Sequence, residues 1–241
     1  LMKNYTYSIA VSGTHGKTST TSMIASITNH GTLNPTVLLG GQLDDIGGNV
    51  KLGSNEYILT EACEYKANIL KYFPTMAIIL NIDEDHLDYF RDMNHIVDTF
   101  LGYAKNLEDK SYLVINADDP HSNKIIENTS AQIITFGING EANYKAEDIK
   151  FSKDGTSSFT LNINNEAYFP IKLKVTGEHN IYNALASIVA AHTYGVTMDQ
   201  ISEYISYYGG VHRRLEHKGY INGVKVIDDY AHHPTEIKAS L

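Results

Sequence analysis

The sequence predicts an α/β protein built on a mostly parallel sheet flanked by helices, and three observations predict it. Short apolar, β-branched runs alternate with helix-length segments from residue 7 to residue 136, an order that lays parallel strands side by side with helices on their faces. The first strand runs straight into a glycine-bracketed loop, Gly13-Thr14-His15-Gly16-Lys17-Thr18, which opens a helix. From Ala142 to Val175 the hydrophobic period changes to two, as in Ser158-Phe159-Thr160-Leu161-Asn162-Ile163, which predicts a small appended antiparallel β-sheet.

Tyr7 to Val11 has the composition of a central strand, and a helical apolar pattern runs from Thr18 to about Asn29 before Gly31 stops it. Between them, Gly13 and Gly16 let the backbone turn tightly and point successive N–H groups inward, where the positive end of the helix is also aimed. This is a P-loop-type phosphate cradle, with Lys17 placed to reach the β- and γ-phosphates and the Thr18 hydroxyl to hold Mg2+. Val11 departs from the G-x-x-x-x-G-K-[ST] pattern, which has glycine there. A surface loop ahead of a helix is the competing reading of this stretch alone.

After Pro35, Thr36 to Leu39 is a strand, and Gly40-Gly41 and Gly47-Gly48 flank a polar loop with Asp44 and Asp45 that leaves room for backbone to approach a ligand or, in the preferred reading, is a mobile hairpin. The strand Tyr57 to Thr60 ends at Glu61 and Glu64, followed by a helical stretch from Ala67 to Tyr72 and a stop at Pro74. A carboxylate at the end of a parallel strand lies on the ligand-binding rim, so Glu61 is a candidate metal ligand; a solvated acidic loop is the alternative. Met76 to Asn81 is the most apolar strand, and it spills into Ile82-Asp83-Glu84-Asp85-His86-Leu87-Asp88. Four carboxylates around His86 are costly unless a cation sits among them, although Mg2+ takes carboxylates more readily than imidazole.

A helix from about Asn94 to Asn106, a strand Tyr112 to Asn116, a cap at Ala117 to Pro120 and a strand Gln132 to Phe136 complete the alternation. Turns at Asp154-Gly155 and Asn164-Asn165 punctuate the antiparallel block. Gly177-Glu178-His179-Asn180 opens a strongly apolar helix, Ile181 to His192, which breaks at Gly195 before a second helix from Met198 to Tyr207. Asn180 and Asn183 share a helix face and offer paired donors and acceptors suited to a base edge, or Asn180 caps the helix.

Gly209-Gly210 reads as a hinge between residues 1–210 and a new block, residues 211–241. This second block holds Arg213 and Arg214, suited to phosphate, and a hairpin from Tyr220 to Ile227 around Asn222-Gly223. Asp229 suits a ribose hydroxyl. Adjacent histidines such as His232 and His233 rarely converge on one ion.

The composition is that of an ordinary globular chain of 241 residues, 42% hydrophobic and 20% charged. A formal net charge of -9 argues against a nucleic-acid surface. Cys63 is the single cysteine, which excludes an internal disulfide and a four-cysteine zinc site. No apolar run approaches the roughly 18 residues of a membrane span, so membrane insertion is not expected, and a cytoplasmic location is. The chain opens a few residues before a core strand and closes as a helix begins, so a fragment of a longer protein is expected.

Six motifs in one order carry a resemblance: Ser-Gly-Thr-His-Gly-Lys-Thr at 12–18, Glu-Ala-Cys-Glu at 61–64, Asn-Ile-Asp-Glu-Asp-His-Leu-Asp at 81–88, Gly-Glu-His-Asn-Ile-Tyr-Asn-Ala at 177–184, Arg-Arg-Leu-Glu at 213–216 and Asp-Asp-Tyr-Ala-His-His-Pro at 228–234. Together they resemble the Mur ligase family, most nearly its alanine-adding branch. The resemblance implies a central ATPase domain at residues 1–210 with the first strands of the C-terminal domain, so that residues 211–241 are the truncated start of a second α/β domain, and ATP and Mg2+ as cofactors. It implies ligation of L-alanine to the lactyl carboxylate of UDP-N-acetylmuramate by a monomer or weak homodimer, with little turnover from this portion alone. It further implies that Gly13, Thr14, His15, Gly16, Lys17, Thr18 and Ser19 cradle ATP phosphates, and that Asn180 and Asn183 meet adenine. Arg214 would reach the γ-phosphate and Asp229 the ribose. Thr18, Glu61 and His86 would serve metal ions, and Tyr230 and His232, with His86, the substrates. Lys17, Glu61, His86 and Arg214 form the implied catalytic set. Leu101 stands near the place of a carbamylated lysine in several relatives, a departure shared with the alanine-adding branch. A peptide-recycling ligase of the same family and a non-catalytic ATP-binding module are the alternatives.

Overall fold

The computed structural model describes residues 2–31 and 33–240. In chain order the elements are β1 (Tyr7–Ser12), α1 (Lys17–His30), β2 (Thr36–Leu43), β3 (Gly48–Lys51), β4 (Tyr57–Glu61), β5 (Met76–Ile79), α2 (Met93–Ala104), β6 (Tyr112–Asn116) and α3 (Ser122–Ile126). They continue with β7 (Gln132–Gly137), β8 (Tyr144–Phe151), β9 (Thr156–Ile163), β10 (Ala167–Thr176), α4 (His179–Thr193), α5 (Met198–Tyr207), β11 (Glu216–Ile221), β12 (Val224–Asp228) and α6 (Pro234–Ser240).

One ten-stranded sheet runs in the order β10-β9-β8-β7-β6-β5-β1-β4-β2-β3. Its central pairings are parallel, with β1 between β4 and β5. Strand order reverses direction around β1, which makes the ends of β1, β4 and β5 the crevice where open α/β sheets bind ligands.

Strand alternation sorts the core into two layers. Ile9, Val11, Met76 and Ile78 face a cluster built with α1, α4 and α5, while Ala10, Ala77 and Ile79 face a smaller one built with α2. The most enclosed helix is α4, in which Ile181, Leu185, Ile188 and Val189 are fully buried. Its apolar residues surround the axis because α1, α5 and the sheet all press on it.

The expected appended antiparallel strands are present, joined edge to edge, since β8 pairs in parallel with β7 at Phe136 and Tyr144 and so extends the same sheet. Three other details differ from expectation, each through a contact that local pattern does not encode. The glycine-flanked segment is not free: β2 runs through Gly40 and Gly41 to Leu43, and Asp45 accepts hydrogen bonds from Ser26 and Asn29 of α1. The stretch after β4 is a 3-10 turn, Tyr65–Lys71, broken where Lys66 and Ala67 take a φ of +53°. Finally, Asn180 does not cap α4, because the N-cap is Glu178, which makes no side-chain cap bond.

The hairpin β11–β12 pairs only with itself among the described residues. No helix among them is long and apolar enough to cross a membrane.

Candidate active site

The loop after β1 is shaped by two glycines that cannot be replaced without strain. Gly16 has a φ of +85°, and a Cβ there would collide with the Asn183 Oδ1 of α4. Gly13 has a φ of +131°, and a Cβ there would sit 3.0 Å from the Leu80 Cβ. Both side chains would enter the forbidden half of backbone space as well.

The residues following β5 act as a template for this loop. Asn81 Oδ1 accepts from the His15 N–H at 2.8 Å while its Nδ2 donates to the His15 carbonyl at 3.1 Å. The Thr14 N–H donates to the Asn81 carbonyl at 3.1 Å, and the Thr14 hydroxyl accepts from the Asp83 N–H at 2.9 Å. The N–H groups of Thr14 and His15 are therefore spent on the clamp, contrary to the expectation that the whole loop offers them to phosphate. The first N–H groups of α1, at Lys17, Thr18 and Ser19, have no intrahelical acceptor.

Lys17 folds back over the loop. Its ammonium donates to the carbonyls of Gly13 at 2.6 Å and Thr14 at 3.0 Å, and to the Glu64 carboxylate at 3.0 Å. Glu64 is buried, and His86 Nε2 lies 3.9 Å from its other oxygen and 3.7 Å from Asp85 Oδ2. Beside this chain of contacts the Thr18 hydroxyl donates to Glu61 at 3.2 Å, and Glu61 accepts from the Gly40 N–H at 2.7 Å. Glu64, His86 and Asp85 bring three potential ligand atoms within 4.8 Å of one another.

A cavity of about 1270 Å³ opens beside the loop, lined by His15, Gly16, Ser19, Asn180 and Asn183 on one wall and by Arg214, Asp229 and Glu236 on the other. Thr18, Glu61 and His86 lie outside this lining. Asn180 and Asn183 are buried, and their amides serve the structure: Asn180 Nδ2 donates to the Thr176 carbonyl, Asn183 Nδ2 to Asn180 Oδ1, and Asn183 Oδ1 accepts from Thr20.

On the far wall, Arg214 lies 3.9 Å from Glu236 and places its guanidinium 5.3 Å from the Tyr230 ring centre. Asp229 accepts from the Leu215 N–H and the Ser240 hydroxyl. Tyr230 and His232 are exposed and stand outside the cavity lining, with the guanidinium groups of Arg213 and Arg214 over the tyrosine ring at 5.1 and 5.3 Å. Burial raises the Glu236 carboxyl, but the bonds from His15 and the His232 N–H and the Arg214 charge outweigh it and hold it down to about 2. Burial lowers His179, only partly opposed by Asp229 and Glu236.

Sequence reasoning noted Glu64 without its partner and missed Asn81 and Glu236. A polar residue closing the most apolar strand was the available signal for Asn81. No local signal existed for Glu236, which meets His15 across 221 positions of chain.

A parallel sheet with a phosphate loop after its central strand defines a P-loop-type α/β protein. Residues 11–191 match the family model described as the Mur ligase middle domain, and the chain belongs to the Mur ligase family. It is 50% identical over 242 residues to the UDP-N-acetylmuramate–L-alanine ligase of Acetivibrio thermocellus, covering 100% of this chain and 52% of that protein. It is 49% identical over 241 residues to the enzyme of that name from Clostridium beijerinckii, with the same coverage. Among solved structures, the UDP-N-acetylmuramate-alanine ligase of Thermotoga maritima superposes with a TM-score of 0.84 at 31% identity, covering 98% of this chain and 53% of that one. A murein peptide ligase from Psychrobacter arcticus superposes with a TM-score of 0.80 at 28% identity, covering 99% and 54%. The chain spans about half the length of the curated relatives it matches.

Proposed function

We propose that this chain is the nucleotide-binding half of a ligase that joins L-alanine to the lactyl carboxylate of UDP-N-acetylmuramate at the expense of ATP, in the synthesis of peptidoglycan precursors. The observation that carries the reading is the continuous contact from Lys17 through Glu64 to His86, which sets a phosphate cradle beside a second polar centre. Such an arrangement suits a reaction in which a carboxylate meets a γ-phosphate. The high identity to alanine ligases over the whole chain supports the choice of amine.

In this reading the carboxylate oxygen attacks the γ-phosphorus, the bond to ADP breaks, and an acyl phosphate forms. The alanine amine then attacks the acyl carbon and phosphate leaves. The first-turn N–H groups of α1 and the Lys17 ammonium take up charge gathering on the transferring oxygens, and no protein nucleophile is required. The three donors of the Lys17 ammonium are given to the Gly13 and Thr14 carbonyls and Glu64, so Lys17 gives up one of these to meet phosphate. The Thr18 hydroxyl and Glu61 carboxylate form an all-oxygen pair, the donor type that Mg2+ takes, so these two residues would hold that ion, and His86, with the Glu64 and Asp85 carboxylates beside it, would take part in holding a second. Bound there, Mg2+ supplies neutralisation of phosphate charge. Arg214 reaches the γ-phosphate, while Asn180 and Asn183 form the adenine wall and Asp229 takes the ribose. Tyr230 and His232 turn inward to the incoming amine when the cavity closes. The segment from residue 211 onward belongs to a second domain, and ATP as substrate places the activity in the cytoplasm.

The test uses a protein carrying this sequence together with the segments that complete its relatives' length. Phosphate release from ATP is expected only with Mg2+, UDP-N-acetylmuramate and L-alanine all present. Release that needs a peptide in place of alanine assigns the peptide-recycling reaction instead. Hydrolysis indifferent to both co-substrates refutes the ligase reading.

A further inference from the structure

The geometry points to a separate transition-metal site at His15, Asp83 and His233, which ties the phosphate loop to the start of α6. It goes beyond the ligase reading and does not rest on it. The three residues come from distant parts of the chain, and their ligand atoms lie within 4.8 Å of one another. His15 Nε2 is 3.3 Å from Asp83 Oδ2. Two ligands on a tetrahedral zinc-type ion, each bound at about 2.0–2.2 Å, stand roughly 3.4 Å apart. The spacing is therefore already that of a coordination edge.

The second observation is how the remaining ring nitrogens are held. A metal-bound histidine donates its other N–H to a carboxylate or a backbone carbonyl, which fixes the tautomer. His15 Nδ1 faces Glu236 Oε1 at 3.2 Å and Nε2 faces Asp83 Oδ2 at 3.3 Å, both carboxylates that only accept; with an ion bound, Nδ1 keeps its donation to Glu236 while Nε2 gives up its proton to turn a lone pair to the ion. His233 Nε2 lies 2.8 Å from the Glu84 carbonyl, which can only accept, so the lone pair of that ring is on Nδ1. The Thr235 N–H approaches this Nδ1 at 3.3 Å, a long bond that coordination would replace. Asp83 is oriented in turn by the Thr235 hydroxyl at 2.9 Å. The two imidazoles stand 4.6 Å apart, centre to centre.

Two imidazoles and one carboxylate form a donor set for Zn2+, Co2+ or Cu2+, whereas Mg2+ prefers oxygen alone. The phosphate loop thus has beside it a hard oxygen pair, Thr18 with Glu61 at the end of β4, and a separate nitrogen-rich group at His15. An ion at the second group joins His15 of the loop, Asp83 after β5 and His233 beside α6, and so pins the C-terminal segment against the cavity.

Co2+ is the probe, titrated into the 241-residue chain in excess Mg2+ while the visible absorption is followed, because four-coordinate Co2+ absorbs far more strongly than six-coordinate. One saturable, strongly absorbing site is expected. Losing an outer partner of a metal ligand costs about 10–100-fold in affinity, so losing a ligand in His233→Gln or Asp83→Asn costs at least that much. His86→Gln leaves it unchanged. Equal affinity in wild type and His233→Gln, loss only in His86→Gln, or displacement of Co2+ by the Mg2+ overturns the proposal. Cu2+ bound to the unmutated chain gives a reading independent of any variant: paramagnetic resonance is expected to show two coordinated imidazole nitrogens, and one or none overturns the site.

Discussion

The phosphate loop and the C-terminal segment face the same cavity, yet they are held there by different physics. The loop is moulded by the core: Asn81 grips it through three hydrogen bonds, and Gly16 touches α4 so closely that no side chain fits between them. The C-terminal segment is a hairpin and a short helix whose large apolar side chains, Tyr220, Ile221 and Val224, are about two-thirds exposed. Polar contacts attach it, chiefly Glu236 to His15, Thr235 to Asp83 and the His212 N–H to the Gln42 carbonyl. A site half built into a core and half docked by exchangeable polar bonds is one whose second half can move while the first stays set. The contrast predicts where substitution and pH act.

The largest effect belongs to the loop. Lys17→Ala is expected to lower co-substrate-dependent phosphate release by about 10²–10³-fold, the scale for losing one preorganised electrostatic contact to the transition state. It also strands Glu64, a buried carboxylate, at a cost of up to about 3–5 kcal/mol in unfolding free energy. Adding Glu64→Gln to that variant restores stability and leaves turnover low. Turnover recovering with stability would mean that Lys17 acts by holding the fold rather than by meeting phosphate.

Next comes a paired comparison of two isoleucines. Ile188 of α4 is fully buried, and Ile188→Ala is expected to cost about 2–5 kcal/mol in denaturant unfolding. Ile227 of β12 is 47% exposed, and Ile227→Ala is expected to stay within about 0.5 kcal/mol. A large cost at Ile227 would show that the hairpin shares the core's cooperativity and would erase the distinction.

Much of the first region was legible in the sequence, and little of the second. The strand Tyr7 to Val11, the loop and α1 obey local rules of composition, glycine placement and helix polarity, so their order could be read directly, but not that the Thr14 and His15 N–H groups are spent on Asn81. Period-two alternation likewise found β9. Which sheet edge would take β8 was not readable, because Phe136 and Tyr144 pair through backbone groups that every residue carries. Lys66 and Ala67 suited a helix by composition, and their positive φ shows that tertiary contacts won. The partners of His15, Lys17 and Glu236 meet across long stretches of chain, so spacing could nominate the loop residues but not say which way each would point.

The smallest effect tests the docking contacts by pH. Glu236 is held down to about 2 from an ordinary value of 4.5. A carboxyl depressed on folding contributes stability that is present in full above 4.5 and is lost as pH falls from there toward about 2. Across that window the contact of α6 with His15 should weaken by about 1 kcal/mol, the scale of an ion pair that solvent reaches. Methyl resonances report it: those of Ile237 in α6 are expected to shift between pH 4.5 and 2, while those of Ile188 in α4 hold until the whole chain unfolds. Glu236→Gln should make the Ile237 shifts nearly flat over the same range. Ile188 moving in step with Ile237 would mean that acid opens the core and the docked segment as one unit, and the loop would then be no better anchored than the hairpin it faces.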